Sequence, residues 1–141
     1  MLIFVQVLPK NGSLVLLDGD TGEVYGKFEA DIDSRFSVTF IHSVNKSAVE
    51  ELYQIKEDGI YLEECIYSAF GAGVATEVED GQTLTYTDDG KMIISGFDRK
   101  IDNLSYIVGT VSDHVLKIND EEISLRDLCG RNSVVHFQYK K

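Results

Sequence analysis

Alternation is the property of this chain that most restricts its fold. Apolar and polar residues exchange places at every second position through most of the sequence, and glycine and aspartate interrupt the pattern at short intervals. A period of two sets side chains on opposite faces of an extended strand, whereas a helix needs a period near 3.6. Leu14 to Leu17 and Glu23 to Phe28 flank the turn-forming Asp18-Gly-Asp-Thr-Gly22. Phe36, Val38 and Phe40 alternate with Ser37, Thr39 and Ile41, and Val49 to Lys56 joins Ile60 to Tyr67 through Glu57-Asp-Gly59. Thr83 to Thr87 and Lys91 to Ser95 close around Asp88-Asp-Gly90; Leu104 to Val111, Val115 to Ile118, Glu121 to Leu125 and Ser133 to Tyr139 follow. Only Ser124 to Cys129 reads as a helical turn, with Ser124 as its N-cap and Gly130 as its stop. The pattern predicts an all-β domain, an antiparallel sandwich or partly open barrel of about ten short strands with at most one short helical turn.

The 141 residues, 43% of them hydrophobic, suffice for one domain with a core, spanning 1–141. A net charge of −11 repels phosphate backbones and anionic headgroups, so nucleic acid is not an expected partner and a membrane is expected only through an N-terminal anchor. Any spot that holds an anion must be created by particular cations. Residues 1–8 are apolar but too short to span a bilayer; they read either as a first strand or as the remnant of a signal or anchor. Cys65 and Cys129 lack metal-ligand spacing, and both a single disulfide and two free thiols are open to them. Asp18, Asp20 and Gly22 echo a calcium loop without its closing glutamate, so a hairpin turn is expected there. His136 falls on the solvent side of its strand.

Strand phase picks out the candidate site. Phe36, Val38, Phe40 and His42 share a face, while Ser43 points the other way and so cannot form a dyad with His42. On the next strand Val49, Glu51, Tyr53 and Ile55 share a face. A hairpin loop of Asn45 to Ala48 sets His42 opposite Glu51; a loop of Asn45-Lys46 sets Phe40 opposite Glu51 with His42 on the diagonal. Pairing Ile55 with Leu62 across the next turn sets Glu51 beside Ile66. Ser68 to Gly73 then leave the third strand at the His42 end, where Gly71 and Gly73 permit close approach. A carboxylate on an apolar face needs a partner, and His42, Lys46 and Arg99 are the expected ones. Arg99, placed in a loop before a strand, reads as a solvated charge or as a clamp for a carboxylate. His114, where a strand begins, is expected to cap a turn. His42, Glu51 and His114 could compose a two-histidine, one-carboxylate metal set, but no spacing demands it, and no metal or other cofactor is expected.

The same residues carry a family resemblance. His42, Ser43, Val44, Lys46, Ser47, Val49 and Glu51 come first, followed by Ser68-Ala-Phe70-Gly71-Ala-Gly73. Gly96-Phe-Asp-Arg99 with Leu104, Val108 and Gly109, and then Asp113-His114, complete the set. In this order they resemble the signatures of the bacterial and archaeal family called domain of unknown function 1850, although Ala48 and Ala75 stand where that family usually has proline. The family has no established activity. The resemblance implies an extracytoplasmic protein, secreted or membrane-anchored, often associated with tripartite transporters of the TAXI class. The expected function is thus a non-enzymatic binding or accessory module for a small acidic ligand or a transporter component. Its expected site is an edge built from His42, Ser43, Lys46, Glu51, Phe70, Gly71, Gly73, Arg99 and His114. Two alternatives stand beside it: a metal-assisted or acid–base hydrolase using His42 and Glu51, and a purely structural interaction domain.

Overall fold

The computed structural model of the chain describes residues 10–42, 46–68 and 78–141. Among these, eleven strands and one short helix follow in the order β1 (Gly12–Asp18), β2 (Val24–Ala30), β3 (Arg35–Ile41), β4 (Ala48–Lys56), β5 (Gly59–Tyr67), β6 (Thr83–Tyr86), β7 (Met92–Lys100), β8 (Ser105–Ile107), β9 (Val115–Ile118), β10 (Glu121–Ser124), α1 (Leu125–Cys129) and β11 (Val134–Lys140). They form two antiparallel sheets, one of four strands in the order β2-β1-β11-β8 and one of seven in the order β10-β9-β3-β4-β5-β7-β6. The inner faces meet in one core. Leu14, Leu16, Val135 and Phe137 of the smaller sheet pack against Phe36, Val38, Tyr53, Ile55, Leu116 and Ile118 of the larger. Phe36 stacks on Tyr53 within its sheet at 5.1 Å and on Phe137 across the sandwich at 5.9 Å, an arrangement favoured by ring quadrupoles. Alternation therefore yields the antiparallel sandwich.

Register departs from the sequence reading in two places. In the first hairpin Val38 faces Glu51, Phe40 faces Val49 and Ile41 faces Ala48. His42 N–H donates to Ser47 O at 2.8 Å, and Lys46 N–H donates back to His42 O at 2.9 Å. Four residues, 43–46, thus join the strands, and Lys46 turns the chain with φ +59°. Both expected registers are wrong, by steps of two residues, so the faces survive and the partners change. The second hairpin turns over Glu57 and Asp58, pairing Ile55 with Ile60 rather than Leu62. Unbroken, that ladder would set Glu51 against Glu64. A bulge at Glu63 inserts one residue, so Glu51 faces Cys65 and Glu64 pairs with Leu52. Placing like charges directly opposite is unfavourable, and the bulge avoids it.

Other local readings fare variously. Asp18 caps its own turn, accepting Asp20 N–H at 2.8 Å and Thr21 N–H at 3.2 Å. Ser124 accepts Asp127 N–H as the N-cap of α1, and Gly130 ends it with φ +96°. The strand expected over Leu104 to Val111 is only Ser105–Ile107. Arg99 lies inside β7, opposite Leu62, and not in a loop. Cys65 and Cys129 are free thiols. The apolar residues 1–8 lie outside the described residues.

Candidate functional site

Glu51 stands in the middle of an otherwise apolar row, between Val38 and Cys65. Its partner comes from the opposite sheet. Tyr106 of β8 donates its hydroxyl to Glu51 Oε1 at 2.9 Å, and its oxygen lies 2.5 Å from the hydroxyl of Tyr53. Since Tyr106 has one proton to give and gives it to Glu51, Tyr53 donates to Tyr106. The expected cationic partners do not serve this carboxyl group. Burial raises the Glu51 pKa above its ordinary value, against a smaller downward pull from the Tyr106 hydrogen bond. Burial first, and then the nearby Glu51 charge, push the Cys65 thiol up to about 12. Cys65 is accordingly a protonated and unreactive thiol at neutral pH.

The raised pKa has a measurable consequence. Folded Glu51 holds its proton more tightly than the unfolded chain does. Its contribution to stability is full below the ordinary value of 4.5 and is lost as pH rises through the raised folded value. Denaturation midpoints compared from about pH 4 to about pH 8 are expected to fall less steeply with pH in Glu51→Gln than in the unaltered protein. Identical profiles would show that no proton linked to folding resides on Glu51.

His42 and Glu51 are not neighbours. Glu51 faces Val38, four positions before His42 on β3, which is roughly 13 Å of strand. This separation removes the pair as a direct acid–base couple. Among the described residues no group of three histidine, cysteine, aspartate or glutamate side chains is placed to hold a metal ion, so the metal set of His42, Glu51 and His114 is not assembled. Arg99 is also elsewhere. Its guanidinium pairs with Glu79 at 3.4 Å and lies 5.8 Å from the Phe97 ring centroid, in an exposed position where such a pair contributes little. Ser43, Phe70, Gly71 and Gly73 lie outside the described residues.

Three of the expected residues do converge. Ile41, His42 and Lys46 form one wall of a cleft of about 410 Å³, and the 109–112 loop with His114 forms the other. The His114 ring stacks on Phe40 at 5.3 Å and meets Tyr106 edge-on at 5.7 Å. Gly109 N–H donates to His114 Nδ1 at 3.2 Å, the loop-closing role expected of this residue. Burial lowers the His114 pKa, partly opposed by Asp113, so the ring is neutral and carries its proton on Nε2. Asp113 itself is engaged by Ser124 Oγ and Arg126 N–H, which fix the far side of the loop. No carboxylate appears among the described residues lining this cleft. Four other surface depressions each contain at least one: Asp120, Glu29, Asp58 and Asp31 respectively.

Several members of this arrangement escaped sequence reasoning. Tyr106 could have been found, because Leu104, Tyr106 and Val108 alternate inward and a buried tyrosine hydroxyl requires a polar partner. The loop was hidden by reading Leu104 to Val111 as one strand, although Gly-Thr-Val-Ser-Asp over 109–113 carries turn residues.

Fold and site together define a two-sheet β-sandwich with a cleft at one rim whose described lining holds no carboxylate. The sequence pattern of the domain of unknown function DUF1850 matches residues 36–125, from the start of β3 to the start of α1, and the chain belongs to that family. The match includes both walls of the cleft. No curated protein and no solved structure matches the chain.

Proposed function

We propose that this domain is a non-enzymatic binding module and that the cleft between His42–Lys46 and the 109–114 segment holds the carboxylate of a small acidic ligand. The observation that carries this reading is one of charge. In a chain of net charge −11, the described lining of this cleft holds a lysine and two histidines and no carboxylate. An anion avoids the general repulsion there and meets a cationic Nζ from Lys46 and an Nε2–H from neutral His114. Ile41 and Val111, both exposed, supply apolar walls for the rest of a ligand. The extracytoplasmic setting and the service to a tripartite transporter belong to the same proposal and are supported by the family resemblance alone.

Calorimetric titration with pyruvate, succinate, glutamate and benzoate tests it. At least one of these is expected to bind, and Lys46→Met is expected to weaken it about tenfold, the value of one exposed charge-assisted hydrogen bond. Arg99→Ala should leave the affinity unchanged. Failure of the whole panel to bind, or an affinity indifferent to Lys46, would overturn the proposal.

A further inference from the structure

The 109–112 loop is anchored firmly at both ends and lightly between them. Before it, Val108 N–H donates to Ser133 O at 2.9 Å and Val108 O accepts Asn132 N–H at 2.8 Å. After it, Asp113 accepts Arg126 N–H at 3.0 Å and the Ser124 hydroxyl, and His114 O accepts Leu125 N–H at 2.8 Å. Among the described residues, the hydrogen bond that ties 109–112 itself to the fold is the one from Gly109 N–H to His114 Nδ1. Val111, inside the loop, is 89% exposed. The acceptor ring is held better than the loop it ties, because it is half-buried, stacked on Phe40 and edge-on to Tyr106.

That tie depends on a lone pair at Nδ1. Neutral imidazole with its proton on Nε2 has one, whereas imidazolium carries N–H at both nitrogens and has no acceptor. Protonation therefore sets two donors against each other across 3.2 Å, and turning the ring over restores nothing.

We infer that His114 is a pH-sensitive latch on the cleft: its protonation releases the 109–112 loop and opens one wall. The groups around the ring set the direction of the change. Phe40 on β3 and Tyr106 on β8 bring no charge, and burial against them disfavours imidazolium. Asp113, next to it in the chain, favours imidazolium, but that carboxylate is already engaged by Ser124 and by the backbone of Arg126, whose guanidinium attracts it as well. Lys46 and His42 stand across the cleft, where a positive charge disfavours another. Glu51 lies behind the Tyr106 hydroxyl. Burial wins, and the His114 pKa is lowered. A group shifted in this direction contributes stability that is full above its ordinary value, here 6.5, and is lost as pH falls through the folded value. The latch is thus closed at neutral pH and opens in acid. Glu51 contributes with the opposite sign, so a global melting curve mixes the two and a local readout is required. The latch is read without any ligand, and it stands or falls separately from the carboxylate proposal.

NMR titration of the full chain from about pH 7.5 to about pH 4 follows the His114 ring and the 109–112 amides together. As the ring takes up its proton, below the ordinary value of 6.5, the Gly109 amide is expected to shift and its protection against exchange to fall about tenfold. The Val108 and Asn132 amides should keep their protection through the same step. In His114→Asn the side-chain oxygen supplies an acceptor near the Nδ1 position that takes no proton, so the loop is expected to stay closed throughout. A Gly109 amide that does not move while the ring titrates overturns the inference. So does a loop step that persists in His114→Asn, which assigns the release to Glu51 or Asp113, or a ring that takes up no proton before the domain unfolds. If the variant does not fold, the titration of the unaltered protein decides alone.

Discussion

Tyr106→Ala is expected to destabilise the domain by about 3–5 kcal/mol, a fall of roughly 10 °C in melting temperature. The ring touches Phe40 at 6.1 Å, His114 at 5.7 Å and Phe137 at 5.7 Å, and so joins the two sheets at the edge of the core. Its hydroxyl donates to Glu51, and removing it takes that hydrogen bond from a half-buried carboxyl group. Tyr106→Phe separates the two contributions. It keeps the ring contacts, should cost only about 1–2 kcal/mol, and should raise the Glu51 pKa further because the hydrogen bond that lowers it is gone. Urea denaturation of the two variants measures the difference. Equal losses for Ala and Phe would place the whole effect on the hydroxyl.

Gly109→Ala is the second large effect, and it acts on the cleft. A Cβ at Gly109 would lie 2.1 Å from the Ser112 carbonyl oxygen, a backbone atom that cannot swing aside. The 109–112 loop must open, which breaks the Gly109 N–H bond to His114 Nδ1 and releases the ring that lines the cleft. We expect a stability loss of about 2 kcal/mol and a loss of carboxylate affinity larger than that of Lys46→Met. Retained affinity in Gly109→Ala would show that the loop takes no part in binding.

How far the sequence discloses this molecule depends on the distance over which its rules act. Alternation is local, and it correctly sets Val38, Phe40 and Glu51 on inner faces and Ser37 on the opposite face, where it is buried against Glu50. The caps at Asp18 and Ser124 are local too, and both form as their residue types require. Register is not local. The His42–Glu51 pairing failed because loop length was unknown; the Glu51–Ile66 pairing failed because the turn pairs Ile55 with Ile60 and not Leu62, and a bulge at Glu63, which leaves no signature in alternation, then moves the partner by one residue to Cys65. The site followed the same division. His42, Lys46 and His114 stand out by residue type and converge, although what joins them is the 109–112 loop, whose residues 109–111 alternation assigns to a strand. Arg99 was marked on the same grounds and lies on another edge. Glu51 required a partner, and the partner came from a different sheet, which nothing in its own neighbourhood could foretell.

The brevity of β8 has a consequence in time as well as in space. It has three residues and, among the described residues, one neighbour, β11, yet it carries Tyr106 on one side and Ile107 on the other and leads directly into the cleft loop. A strip with so few ladder bonds opens at far lower free energy than the central strands. Amide hydrogens of residues 105–109 should therefore exchange among the earliest of the structured segments. A carboxylate in the cleft, by holding the loop, would slow that exchange before it altered the global melting point.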